Sequence, residues 1–151
     1  MVSALVVGNS ILKRAFSDKI SVTPMKLQKL IYFVYADYYQ STNSVLFEEP
    51  FETWKYGPVL RSVYDAFKSY GANPISQYAC SEDGSIYVIN EQSSPYFKKS
   101  LDTIWKKFGK YDGVYLSSLT HKQGTAWWKA ATKGEAFLSR EDILEDKVAY
   151  E

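Results

Sequence analysis

The sequence predicts an α+β fold: a mostly helical single domain, residues 1–151, built around a central buried helix with a small antiparallel sheet. Three observations predict it. The stretch from Thr23 to Tyr39 is apolar almost all round at helical spacing, which places it in the middle of a domain with neighbours on several sides. Phe51 to Tyr56, Phe-Glu-Thr-Trp-Lys-Tyr, alternates aromatic and polar residues at the period of a strand with one buried face. The remaining apolar stretches mostly follow helix start signals, and no linker, internal repeat or low-complexity segment divides the chain. Its 151 residues suffice for one sizeable core.

Ser3 is placed to cap a first helix running to about Phe16, with Leu5, Ile11, Leu12, Ala15 and Phe16 inward. Ser17 to Val22 is a polar link. The central helix then opens on Thr23 as cap and Pro24 at the first helical position. Leu27, Leu30, Ile31, Val34 and Tyr38 share one face, and Met25, Tyr32, Phe33, Ala36 and Tyr39 cover much of the rest. Its polar positions, Lys26, Gln28 and Lys29, crowd the first two turns, so any function of this helix is expected at that end. Ser41-Thr42-Asn43-Ser44 ends it.

Gly57-Pro58 breaks the strand and supplies a proline for the next helix start. Leu60, Val63, Tyr64 and Phe67 form the stripe of that helix, and Gly71 stops it. Ile75 to Asn90 reads as a hairpin turning at Asp83-Gly84, with Ile86 to Ile89 as the returning strand. Ser94-Pro95 opens another helix, with Phe97, Leu101, Ile104, Trp105 and Phe108 on one side, Lys98, Lys99, Lys106 and Lys107 on the other, and Gly109 after it. Leu116 to Thr120 reads as a short helical turn. Thr125 caps a further turn holding Trp127 and Trp128. Ser139 with Asp142 resembles a capping box for a C-terminal helix reaching about Val148.

Composition narrows the function classes. A net charge of +1 leaves no chain-wide field for nucleic acid, so such binding is expected to be weak if present. A lone Cys80 excludes an internal disulfide, and with a lone His121 it leaves no Cys/His cluster for zinc. No signal peptide and no run of 18 apolar residues is present, so the expectation is a cytoplasmic protein with no membrane association. The chain has no phosphate-cradling Gly-rich loop, no G-x-S-x-G elbow and no helical H-E-x-x-H. Glu141 and Asp142 are adjacent and point apart on a helix, so they make no acid–base dyad. No catalytic residue, metal or cofactor is expected.

Four features remain as candidates. Lys26 and Lys29 oppose the dipole at the start of their helix, as residues do when they meet an anionic group, or else form a solvated face whose stems cover apolar surface. Trp54-Lys55-Tyr56-Gly57-Pro58 is a dense aromatic turn, either core or a rigid contact surface. His121 is the chain's one histidine, a residue type used as a general base, but no nearby Ser or Cys pattern makes it part of a nucleophile arrangement; structural hydrogen bonding or partner contact fits it better. The four lysines of the Pro95 helix read as a solvated face rather than a phosphate reader.

Three blocks carry a resemblance. Met25-Lys-Leu-Gln-Lys-Leu-Ile-Tyr-Phe, then Phe51-Glu-Thr-Trp-Lys-Tyr-Gly-Pro-Val, then Leu119-Thr-His with Trp127 downstream, resemble the Panacea domain family of SocA-like antitoxins and phage-associated GepA-like proteins. The resemblance covers most of the chain, to about Ala131, and rests on the three blocks in this order. It implies a cytoplasmic, non-enzymatic antitoxin that neutralises a cognate toxin protein by direct binding, with an adaptor role toward an energy-dependent protease in one branch. The third block departs from the family pattern, reading Gln123-Gly-Thr-Ala-Trp127 where an acidic residue and often a proline precede the tryptophan.

Tight binding needs desolvated anchors, and with 17% aromatic residues and few arginines the anchors are expected to be aromatic. Most of Tyr32, Phe33, Trp54, Phe67 and Trp105 is needed for the core. The expected partner-binding set is therefore Tyr56, Trp127 and Trp128 as anchors, with Lys26, Lys29, Lys55 and His121 around them. Two other readings stay open: a small hydrolase-like or ligand-binding enzyme using His121 and the Lys26/Lys29 end, and a nucleic-acid-binding accessory using the lysine-rich helix.

Overall fold

The computed structural model describes residues 2–147. Its centre is α2, Pro24–Thr42, which packs against α1 (Ala4–Asp18), α3 (Arg61–Phe67), α4 (Pro95–Phe108), α5 (Gly113–Thr120), α7 (Arg140–Leu144) and the second of two short strands. Leu27, Leu30, Ile31, Tyr32, Phe33, Val34, Tyr35 and Ala36 are all buried, so the all-round apolar helix does take the middle of the core. Thr23 Oγ1 accepts from Lys26 N at 3.3 Å, with Pro24 at the first helical position, as the sequence predicts. The helix runs three residues past Tyr39 and ends on Asn43 in the left-handed region (φ 58°). Part of the aromatic content is spent here: Tyr32, Tyr35, Phe47 and Phe51 pack edge-on or tilted at 4.8–5.9 Å between ring centroids.

Local caps set most other boundaries. Ser3 accepts from Val6 N, Thr125 from Trp128 N and Ser139 from Asp142 N. Asp112, which the sequence reading passed over, accepts from Tyr115 N at 2.8 Å and starts α5 at Gly113 rather than Leu116. α6 is Ala126–Thr132. α7 ends at Leu144, short of the predicted reach; Val148 lies outside the described residues. The chain turns off instead to bury Asp146, whose Oδ2 accepts from Tyr32 Oη at 2.5 Å, while its carbonyl accepts from Gln40 Nε2. Lys98 pairs with Asp102 at 2.8 Å and the α4 lysines face solvent, in keeping with a solvated face.

Two elements differ from the sequence reading. The predicted strand is β1, Glu52–Trp54, and Gly57-Pro58 does not end it in favour of a helix. It turns through Lys55-Tyr56 into β2, Gly57–Val59, pairing Glu52 with Val59 and Trp54 with Gly57. The third helix starts later, at Arg61, and a 3-10 turn over Lys68–Tyr70 precedes Gly71. The outer edge of β1 is covered by the segment before α7, through Thr53 N to Ala136 O and Leu138 N to Phe51 O.

Residues 75–90 form no hairpin ladder. Asp83-Gly84 makes only a local turn, closed by Gly84 N to Ser81 O and Ser81 N to Ser85 O. The flanking backbone is taken by α1 instead. Asn9 donates from Nδ2 to the carbonyls of Ala79 and Tyr87 and accepts from Ala79 N, and Ser10 Oγ accepts from Ile89 N. Backbone groups satisfied by side chains are not available for a ladder. Ile86, Tyr87 and Val88 are consequently exposed, while Ile75 and Ile89 are buried in the core and Tyr78 and Ala79 pack against it half-buried.

A side-chain clasp around an exposed hairpin tip

The three sequence blocks converge on the β1–β2 hairpin. Besides its own β1–β2 pairing, its backbone between Trp54 and Leu60 is held by side chains from α2, from α5 and the residue that follows it, and from α6. Trp127 Nε1 donates to Trp54 O at 2.7 Å, and Ser117 Oγ to Tyr56 O at 2.5 Å. Lys29 Nζ donates to Pro58 O at 3.1 Å. Gln28 pairs with Leu60 at both ends of its amide, Nε2 to the carbonyl at 3.0 Å and Oε1 from the N–H at 2.9 Å. His121 sets Nδ1 2.6 Å from Ser117 O and Nε2 2.8 Å from Lys55 O. A neutral imidazole donates to one of these carbonyls, the imidazolium to both. The Trp127 ring packs tilted against the His121 ring, centroids 4.0 Å apart.

Gly57 is required where the clasp is tightest. Its φ is +117°, and a Cβ there would stand 2.6 Å from Thr120 Oγ1 and 3.1 Å from Lys29 Nζ. Lys29 is 1% exposed and makes no salt bridge among the described residues. Burial pushes its pKa down to about 7.

The predicted residues thus divide by role. Lys29, His121 and Trp127 hold the hairpin from below. Lys55 and Tyr56 form its tip, with Tyr56 55% exposed and the Lys55 ammonium 5.4 Å from the Tyr56 ring centroid. Lys26 stands apart from them. Its Nζ donates to Gly109 O at 2.6 Å, placing a cation on the C-terminus of α4. Burial lowers its pKa, partly opposed by Asp112. Trp128 is half-buried, and among the described residues no side-chain hydrogen bond ties it to the hairpin. Gln28 and Ser117 are clasp residues outside the predicted partner-binding set; the three polar positions at the start of an otherwise apolar helix are the one sequence signal for Gln28. The acidic residue missing before Trp127 leaves no gap, since Thr125 caps α6 and Asp146 Oδ2 accepts from Ala126 N at 3.4 Å.

Beside the hairpin lies a cavity of about 400 Å³, walled mainly by Met25, Lys29, Trp54, Tyr56, Val63 and Tyr64. Arg61 stacks on the Trp54 ring at 4.8 Å and pairs with Glu52 at 3.1 Å. Among the described residues, no group of His, Cys, Asp or Glu side chains could hold a metal ion, and no helix is long and apolar enough to cross a membrane.

The family model described as Antitoxin SocA-like, Panacea domain matches residues 27–128, a span that holds Gln28, Lys29, Ser117, His121, Trp127 and the whole hairpin. Among curated proteins the chain is similar to Antitoxin SocA of Caulobacter vibrioides (strain NA1000 / CB15N), with 26% identity over 129 residues, 83% of this chain and 69% of that one. No solved structure matches.

Proposed function

The chain belongs to the SocA-like antitoxin family defined by the Panacea domain, and on that footing we propose that it neutralises a cognate toxin protein by direct complex formation at the Lys55-Tyr56 hairpin tip. The observation that carries this reading is the convergence of the family's three blocks on one hairpin, which they fix while leaving its tip in solvent. A tip held by its own backbone carbonyls has little freedom to lose on binding, and preorganisation of this kind raises affinity. Tyr56 offers a large anchor with two side-chain torsions, and Lys55 gives a polar rim. The clasp residues act as positioning groups, so the role is a non-enzymatic one. The same reading extends to a cytoplasmic toxin–antitoxin pair and to delivery of the bound toxin to an energy-dependent protease.

Co-expression with the product of the neighbouring gene tests it, scoring growth rescue, co-purification and toxin half-life. Tyr56→Ala and Lys55→Glu lie at the tip and should fold normally, yet lose rescue and complex together. His121→Ala and Trp127→Ala release the hairpin and should weaken the complex less than Tyr56→Ala does. If both tip variants fold and rescue as well as the parent, the tip is not the contact surface.

A further inference from the structure

We propose that the cavity beside the hairpin is a binding site for a small carboxylate with an apolar body. At about 400 Å³ it falls in the range of small-molecule sites, which run from roughly 300 to 1,000 Å³. A cavity of roughly 150 Å³ accommodates benzene, so this one has room for two fused rings or a medium-length alkyl chain. Pro24, Met25, Trp54, Val59, Val63 and Tyr64 supply an apolar wall suited to that body.

The charge of the occupant follows from the polar groups in the wall. Lys29 lines the cavity, is 1% exposed and has one acceptor among the described residues, the Pro58 carbonyl at 3.1 Å. Burial with no carboxylate beside it among the described residues disfavours the charged form of Lys29, and an anionic group entering the cavity relieves that cost. Lys55 adds a second cation to the lining, and no Asp or Glu is part of it. The first turn of α2, a helix of 19 residues, also borders the cavity through Pro24 and Met25, with its positive dipole end. Gln28 is already engaged at both ends by Leu60 and adds no free group. One buried lysine with no carboxylate partner among the described residues suits a monoanionic carboxylate; a phosphate dianion brings more charge than a single buried cation answers, and a neutral ligand leaves that lysine without a counter-charge. The site stands whether or not the hairpin tip meets a toxin.

The test is calorimetric titration of the full chain near pH 7 with 2-naphthylacetate and with its neutral isostere 2-naphthylacetamide. The acid should bind at least tenfold more tightly than the amide. Lys29→Met, which keeps the apolar stem, should abolish that preference, and Val63→Trp, which fills the cavity, should weaken both ligands. Amide-shift mapping on the unmutated protein needs no variant and should place the acid's perturbations on Met25, Lys29 and Val63. Failure of both ligands to bind, equal binding of acid and amide by the parent, or perturbations elsewhere on the surface would each overturn the proposal.

Discussion

Lys29 gives stability a pH dependence whose sign and size follow from its burial. Its pKa falls from 10.5 in the unfolded chain to about 7 in the fold, because the ammonium is desolvated. The unfolded state therefore holds more protons at this side chain between about pH 7 and 10.5. Stability rises with pH wherever the unfolded state binds more protons, so the destabilisation is full below pH 7 and fades as pH climbs toward 10.5. At ~1.36 kcal/mol per pH unit the whole gap corresponds to roughly 5 kcal/mol, of which about 2 kcal/mol is recovered between pH 7 and 9. Other groups titrate in the same range, so the informative quantity is the difference between the parent and Lys29→Met, which keeps the stem and cannot ionise. Denaturant unfolding of both proteins from pH 6 to 9 measures it. The parent should gain about 2 kcal/mol on the variant between pH 7 and 9, with little change between pH 6 and 7. Parallel profiles would mean that Lys29 stays charged and hydrated, and that the base of the clasp is wet.

Leu30→Ala, at a site 1% exposed in the middle of α2, should cost roughly 2–5 kcal/mol by leaving a cavity, read as a fall in the denaturant midpoint; a loss below ~1 kcal/mol would displace α2 from the centre of the core. Gly57→Ala forces a Cβ toward Thr120 Oγ1 and a side chain into a φ of +117°, so a destabilisation of at least about 1–3 kcal/mol is expected in thermal unfolding, and a neutral result would show that the hairpin turn is not held as described. The isolated chain should bind nucleic acid weakly and lose that binding steeply with salt, because its α4 lysines face solvent on a chain of net charge +1; tight, sequence-selective binding near physiological salt contradicts this.

The sequence by itself determined the elements whose signals are local. Thr23-Pro24, Ser3, Thr125 and Ser139 set helix starts because a cap bonds an N–H two or three residues away, and the nearly all-round apolar cover of α2 placed it at the centre. It also supplied the three blocks and most of the residues around the hairpin. The tertiary structure alone decided what those residues do. Gly57-Pro58 carries the local marks of a helix start, yet it forms a strand paired with β1, with Lys29 donating to Pro58 O and Thr120 leaving no room for a Cβ at Gly57. Asp83-Gly84 carries the marks of a hairpin, yet Asn9 and Ser10, some 70 residues earlier, take the backbone groups a ladder needs. Lys26 and Lys29 look alike in sequence and diverge in space, one to the end of α4 and the other under the hairpin. Bonds from a distant side chain to a backbone carbonyl leave no periodicity and no cap pattern in the sequence around that carbonyl, so the clasp exists only once α2, α5 and α6 are packed.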